Sequence, residues 1–88
     1  MSWDYEIEAE AIRQLRKLGP SASAEIISYL DKRVKGSADP VVFGKALKVA
    51  LHGFWRYRVR DYRLLCRLEN GRLVVVVITV AHRKDVYD

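Results

Sequence analysis

The sequence predicts a single α+β domain in which a hairpin of two helices covers one face of an antiparallel sheet. Residues 3–8 alternate large apolar and acidic side chains, as a half-exposed strand does. Two helical stretches follow, and after Gly53 the pattern changes to three consecutive strands. Because 88 residues supply apolar side chains for only one hydrophobic core, we expect residues 1–88 to form one domain.

The two helices are predicted from apolar positions at helical spacing and from the residues that end each stretch. In residues 9–18 these positions are Ala11, Ile12, Leu15 and Leu18, and Gly19-Pro20 follows as a stop. Pro20 can open the second helix, with Ser21 or Ser23 as its capping residue and Gly36 as its end. The apolar positions of the second helix are Ile26, Ile27, Leu30 and Val34. A connection this short predicts an antiparallel helical hairpin.

A third, short helix is predicted after the hairpin. Asp39-Pro40 is typical of a capping residue followed by a first-turn proline. The apolar positions of this helix would be Val42, Phe43, Ala46 and Leu47.

The C-terminal half carries the signals of three antiparallel strands. Phe54–Val59 and Tyr62–Leu68 flank Arg60-Asp61, which has the length of a two-residue hairpin turn. Asn70-Gly71 is a second turn signal and leads into Arg72–Val80. That last strand is apolar on both faces, so we expect it to be central, with the N-terminal strand as its other neighbour.

The predicted register sorts the side chains of these strands onto two faces. A two-residue turn pairs Val59 with Tyr62 and Arg58 with Arg63, and directly opposed residues share a face. The first face is apolar and is the side that the helices would cover: Trp55, Tyr57, Val59, Tyr62, Leu64 and Cys66. The second face collects Arg56, Arg58, Arg63 and Arg67 together with Leu65.

The second turn extends this register to the last strand. Pairing Glu69 with Arg72 would set Arg63 against Ile78 and Arg67 against Val74. By the same alternation, His82 would lie near the second face.

The positive charge of the chain is concentrated in the same half. The net charge is +5, and residues 53–88 carry eight basic side chains, seven of them arginine, against four acidic ones. Like charges opposed on a sheet are destabilising, so the arginine face is explained either by a balancing set of acids or by a bound anion. Within the two arginine-bearing strands the only acid before Glu69 is Asp61, which favours a polyanion such as nucleic acid.

Several other classes of protein are disfavoured. The apolar run Leu73–Val80 is too short to span a bilayer, so we expect no membrane association and a cytoplasmic protein. Cys66 is the only cysteine, which predicts a buried thiol with no internal disulfide. His52 and His82 are isolated from carboxylate clusters, so neither a metal site nor a cofactor is expected.

Two segments resemble the RelE branch of the RelE/ParE toxin superfamily: residues 53–64, Gly-Phe-Trp-Arg-Tyr-Arg-Val-Arg-Asp-Tyr-Arg-Leu, and residues 82–87, His-Arg-Lys-Asp-Val-Tyr. The ending Leu15–Gly19 of the first helix is also similar to the family's hairpin junction. The resemblance implies a βααβββ fold, ribosome-dependent cleavage of messenger RNA in the decoding site, and a co-encoded antitoxin as partner, in a toxin–antitoxin hetero-oligomer.

The resemblance also implies the site residues. Arg56 and Arg58 match basic positions linked with proton removal and phosphate contact, and Arg63 matches the arginine that binds the scissile phosphate. Arg83 matches an arginine that is linked with charge stabilisation and leaving-group chemistry. Tyr87 matches a tyrosine that stacks on or orients the substrate base. Four neighbouring residues are expected to contact the RNA: Arg60, Arg67, His82 and Lys84.

The chain departs from the family pattern in two ways: arginine replaces lysine on the second strand, and no additional C-terminal helix follows Tyr87. Arginine remains protonated near neutral pH, so the general base is left to water, the neighbouring phosphate or His82. Two other functions stay open: a ParE-type inhibitor of DNA gyrase with the same fold, and an RNA-binding module without catalysis.

Overall fold

The computed structural model describes residues 2–40, 44–46 and 54–85. The chain runs through β1 (Asp4–Ile7), α1 (Ala9–Leu18) and α2 (Pro20–Tyr29), then through a π-helical turn, Leu30–Val34. It continues with β2 (Gly44–Ala46), β3 (Phe54–Val59), β4 (Tyr62–Glu69) and β5 (Val74–His82), and the described part ends in a 3-10 turn, Arg83–Asp85. The strands form one sheet in the order β1-β5-β4-β3-β2, with the helices packed on one face. The predicted α+β class is therefore confirmed.

The helical hairpin has the predicted ends at its junction. Gly19 ends α1 with φ 98°, in the left-handed region that favours glycine, and Pro20 occupies the first turn of α2. The predicted serine cap is wrong, because Gly19 is the N-cap residue of α2 and no side chain caps it. Ser23 instead donates its hydroxyl to the carbonyl of Leu15 at 3.0 Å, which ties the two helices together.

The apolar face predicted for α1 is only partly buried. Ala11 and Leu15 are buried, whereas Ile12 is 38% exposed. A helix of ten residues that rests on β5 and α2 buries a narrow stripe, and Ile12 lies at its edge.

The predicted short third helix is wrong where the structure describes it. Gly44–Ala46 is a strand that pairs antiparallel with β3, with Lys45 opposite Arg56. The pairing supplies partners for backbone groups along the edge of β3, which a helix at this position would leave exposed. Val42, Phe43 and Leu47 lie outside the described residues.

The sheet is mixed rather than wholly antiparallel. β1 pairs parallel with β5, with Tyr5 opposite Val75 and Ile7 opposite Val77. This arrangement confirms the N-terminal strand as the second neighbour of a central β5. Val75 and Val77 are fully buried, as expected for a strand with neighbours on both sides.

The first hairpin has the predicted register, and the second does not. Val59 faces Tyr62 across the Arg60-Asp61 turn, where Arg60 has φ 52°. In the second hairpin Glu69 faces Val74, so residues 70–73 form a longer loop than the predicted two-residue turn. A bulge between Leu65 and Cys66 shifts the register once more, and Arg63 lies opposite Ala81 and Arg67 opposite Val76.

The hydrophobic core lies between the helices and the predicted apolar face of the sheet. Its largest fully buried side chains include Ile26 and Leu30 from the helical layer and Tyr57 and Leu64 from the sheet. Cys66 is buried among them, as predicted, and burial raises the pKa of its thiol. None of the helices in the described ranges is long and apolar enough to cross a membrane.

Candidate functional site

Four arginines gather at the end of the sheet that carries the β3–β4 turn. Arg56 and Arg58 come from β3, Arg63 from β4, and Arg83 from the turn after β5. Arg58 is directly opposite Arg63 on the sheet face away from the helices. The pKa of Arg63 is held below its usual value, first by burial and then by the positive charges of Arg58, Arg56 and Arg83. We call these four residues the arginine cluster.

Arg63 is held in place by backbone oxygens of the adjacent turn. Its Nη1 donates to the carbonyl of Arg60 at 3.0 Å and to that of Tyr62 at 3.1 Å. Among the described residues, neither Arg58 nor Arg63 forms an ion pair with a carboxylate. Within the described part of the chain, these two arginines could therefore meet an incoming anion without first breaking an ion pair.

Arg83 is attached to the same turn through Asp61. The Arg83 backbone N–H donates to the carbonyl of Asp61 at 2.7 Å, and its Nε lies 3.4 Å from Asp61 Oδ1. Both side chains are more than half exposed, so this ion pair is weak and solvent-screened. Asp61 therefore holds Arg83 near Arg63.

Arg67 lies on the predicted face but is outside the arginine cluster. Its Nη2 is 3.1 Å from Glu69 and 3.7 Å from Glu8, while Arg72 bridges Glu69 and Glu6. Arg67 lies four positions after Arg63 along β4, a distance of about 13 Å. The predicted face is thus divided into an arginine end and an ion-paired end. The carboxylates of Glu6 and Glu8 come from the first strand and its end, and the sequence pattern alone does not place them against Arg67.

Arg60 points away from the cluster and toward α2. Its Nε lies 3.3 Å from Glu25 Oε2, and its side chain is 81% exposed. It lines an open pocket of about 420 Å³ between the helical layer and the end of β3. The lining residues are Glu25, Ser28, Tyr29, Lys32, Arg33, Arg58, Val59 and Arg60. Arg58 belongs to both this pocket and the arginine cluster. Lys32 and Arg33 are further basic residues in the pocket, and they could not be predicted because the sequence does not align their helical face with β3.

His82 is on the opposite face from the one predicted. It pairs with Tyr62, and their rings meet edge to face at 5.7 Å between centroids. The longer second loop adds two residues and preserves the alternation of faces, whereas the single-residue bulge at Leu65/Cys66 reverses it. His82 Nδ1 accepts a hydrogen bond from the backbone N–H of Lys84 at 3.2 Å. The Lys84 side chain is exposed, and Tyr87 lies outside the described residues.

The comparisons with known proteins agree on one group of toxins. The model of the ParE toxin family, described as the toxin of the type II toxin–antitoxin system parDE, matches residues 5–87. Toxin RelG of Mycobacterium tuberculosis is 32% identical over 87 residues, which cover 99% of this chain and 98% of the relative.

Solved structures show the same fold. A chain of the RelBE2 toxin–antitoxin complex from Mycobacterium tuberculosis has a TM-score of 0.81 and 30% identity, and the match covers 94% of this chain and 100% of that one. The archaeal RelE–RelB complex from Pyrococcus horikoshii OT3 gives a TM-score of 0.70 at 17% identity, over 98% of this chain and 100% of that one, and supports the fold alone. Since both the family model and the RelG match span nearly the whole sequence, the chain belongs to the RelE/ParE superfamily of toxins from type II toxin–antitoxin systems.

Proposed function

We propose that this toxin is a metal-independent endoribonuclease that cleaves ribosome-bound messenger RNA in the decoding site. The observation that carries the proposal is the arginine cluster, in which four guanidinium groups interact electrostatically at one end of the sheet. Such a concentration of arginine suits a phosphate whose negative charge increases during the reaction.

The proposed reaction uses the nucleophile that RNA itself carries. The ribose 2′-oxygen attacks the adjacent phosphorus, the bond from phosphorus to the 5′-oxygen breaks, and a 2′,3′-cyclic phosphate and a 5′-hydroxyl result. The enzyme then has to align the attacking oxygen, move protons and stabilise charge on the phosphoryl oxygens. Arg63 would bind the scissile phosphate, Arg56 and Arg58 would stabilise the attacking side, and Arg83 the leaving oxygen. Tyr87 would orient the base, as the family resemblance implies.

The proton acceptor is assigned to water or to the phosphate itself. Arginine cannot serve because it remains protonated. The ring of His82 packs against Tyr62 on the helix-covered face, whereas Arg58 and Arg63 project from the other face. Of the predicted contacts to RNA, Lys84 and Arg60 remain candidates for backbone phosphates outside the scissile one.

The proposed partner is a cognate antitoxin in a cytoplasmic hetero-oligomer. The RelBE2 and archaeal RelE neighbours were both solved as toxin–antitoxin complexes. An acidic antitoxin segment that occupies the arginine cluster would neutralise it, and so would displacement of the chain end that carries Tyr87.

A gyrase inhibitor is the second candidate, because the matching family model is described as the ParE toxin of parDE. This alternative uses the same fold without RNA chemistry. Arg83 and Tyr87, at the spacing of the RelE branch, favour the nuclease.

The deciding experiment compares wild type, Arg63→Ala and Arg67→Ala expressed in cells, followed by mapping of message ends. Arg67 is a matched control because it lies on the same strand and face but is paired with Glu8 and Glu69. We expect sharp cuts with wild type and Arg67→Ala and none with Arg63→Ala. Intact messages together with a DNA damage response would support the gyrase inhibitor instead. Purified Arg63→Ala should lose far more in cleavage rate than in ribosome affinity, whereas equal losses would indicate a binding module.

A further inference from the structure

We propose that His82 is a positioning residue whose Nδ1 caps the turn after β5 and thereby fixes Arg83 in the arginine cluster. The inference rests on the proposed nuclease function for its kinetic consequence. Its structural basis is the hydrogen bond from the Lys84 backbone N–H to His82 Nδ1 at 3.2 Å. The hydrogen bond closes a short turn that contains Arg83, the residue between His82 and Lys84.

The hydrogen bond defines the proton positions on the ring. A backbone N–H can only donate, so Nδ1 must carry the lone pair and the single ring proton is on Nε2. A doubly protonated imidazolium would present N–H groups at both nitrogens and would lose the bond. The role proposed here therefore belongs to the neutral ring.

The ring is held firmly enough to act as a cap. It meets the Tyr62 ring at 86°, across the last residue pair of β4 and β5. Gln14 and Lys17 of α1 lie beside it, and Gln14 Oε1 accepts the Val80 N–H at 2.6 Å. α1 thus anchors the end of β5 beyond the point where β1 stops pairing with it. Lys17 is the charged group from α1 in this pocket, with Arg83 and Lys84 following along the chain.

Arg83 depends on this cap because its own turn is short. The 3-10 turn contains only three residues, Arg83–Asp85. On its other side, Arg83 is attached to Asp61 through the 2.7 Å backbone bond and a mostly exposed side-chain contact. With the cap removed, the backbone after Arg83 is free to rotate, and its guanidinium leaves the position in which it interacts with Arg63.

Two substitutions separate the cap from acid–base chemistry. In His82→Asn, the side-chain oxygen can occupy the place of Nδ1 and accept the Lys84 N–H, but the amide cannot take up a proton near neutral pH. In His82→Gln, the amide reaches toward the place of Nε2 and leaves the cap unformed. We expect the Asn variant to stay within about threefold of wild-type kcat, and the Gln variant to lose about ten- to a hundredfold with little change in KM.

A double-mutant cycle and NMR complete the test. In an Arg83→Ala background, His82→Gln should cause no further loss, because the two residues act through one element. In the wild type, nitrogen chemical shifts should show Nδ1 unprotonated, and the Lys84 amide should exchange slowly with solvent. Exchange should accelerate in the Gln variant and stay slow in the Asn variant.

Other outcomes would overturn the proposal. An Asn variant as impaired as Gln, or a wild-type pH–rate limb that both substitutions remove, would make His82 a proton-transfer group. A Gln variant with wild-type kcat, or a protonated Nδ1, would also rule out the cap. If the wild type fails to cut messages, the nuclease assignment fails, yet the NMR experiment still tests the cap. Thermal unfolding of each variant verifies that the fold is retained.

Discussion

Arg58 and Arg63 are opposed across the β3–β4 hairpin, on the sheet face away from the helices. Two guanidinium groups in this position repel each other, and the lowered pKa of Arg63 reflects burial together with this repulsion. Directly opposed like charges destabilise a sheet by up to about 1 kcal/mol. The folded protein therefore retains an unfavourable electrostatic repulsion at the place where a phosphate would bind.

Arg58→Gln should raise the free energy of unfolding by a few tenths of a kcal/mol up to about 1 kcal/mol, because it removes the repulsion. Arg63→Gln should change stability less, since it also removes the two hydrogen bonds to Arg60 and Tyr62. Urea titration measures the free energy of unfolding of both variants. Arg67→Gln is the control and should lower stability slightly, as it breaks contacts to carboxylates. A destabilised Arg58→Gln would contradict the repulsion argument.

Tyr57→Phe should destabilise the protein by about 1–3 kcal/mol. The Tyr57 hydroxyl is buried and donates to the carbonyl of Pro40 at 2.6 Å, so its removal leaves a buried acceptor without its partner. Thermal and urea unfolding give the difference. Tyr62→Phe, with a partly buried ring, is the matched control and is expected to change stability by less than about 0.5 kcal/mol. Equal effects of the two substitutions would count against the Tyr57 bond.

The protein should lose stability in alkaline solution between pH 10 and 12. Burial, the hydrogen bond to Asp31 and the negative charges of Asp31 and Asp4 raise the pKa of Tyr5 from 10.0 to about 12. A raised pKa of the folded state means that the stabilisation is complete below the ordinary pKa and is lost as the pH rises through the folded value. Burial also raises the pKa of Tyr29 and Tyr57, which acts in the same direction.

Melting temperatures measured from pH 9 to 12 test this expectation. Tyr5→Phe should reduce the fall in melting temperature, and Asp31→Asn should shift the tyrosinate absorbance of Tyr5 to lower pH. An alkaline fall that is identical in wild type and Tyr5→Phe would remove Tyr5 from the explanation.

Local signals were sufficient for the elements whose determinants are close in sequence. The Gly19-Pro20 junction and the Arg60-Asp61 turn were predicted because glycine conformation and turn length act within a few residues. The opposition of Arg58 and Arg63 follows from that turn alone, so the central pair of the arginine cluster could be predicted from the sequence.

The remaining features depend on contacts that are distant in sequence. β2 forms because β3 offers an edge, which residues 44–46 do not reveal by themselves. The bulge at Leu65/Cys66 shifts the pairing register of β4 and β5 by one residue, which places His82 on the opposite face from the one predicted. The ion pairs of Arg67 and Arg72 could not be predicted, because they form only when the first strand lies parallel to β5 and brings Glu6 and Glu8 to this face.

Binding of the toxin to ribosomes should weaken steeply with salt, because phosphate contacts release counterions. Removing one arginine that contacts phosphate should reduce the slope of log K against log salt by about 0.7–0.9. Arg63→Gln and Arg58→Gln are expected to do so. Arg72→Gln, whose guanidinium is engaged by Glu6 and Glu69, is the control and should leave the slope unchanged. A flat response of the wild type would contradict phosphate recognition by the arginine cluster.

A message with a single 2′-deoxynucleotide on the 5′ side of the scissile phosphate should bind in the ribosomal complex with unchanged affinity and remain uncut. In the proposed reaction the arginine cluster would bind phosphate, which this change preserves, whereas the attack needs the missing 2′-oxygen. The unmodified message should yield a 2′,3′-cyclic phosphate, detectable by mass spectrometry of the upstream fragment. A sulfur atom in place of a non-bridging phosphate oxygen should slow cleavage equally in Mg²⁺ and Mn²⁺, because the proposed reaction stabilises the charge with arginine and not with a metal ion. Cleavage of the deoxy message, or rescue of the sulfur-substituted one by Mn²⁺, would require a different nucleophile or a metal-assisted reaction.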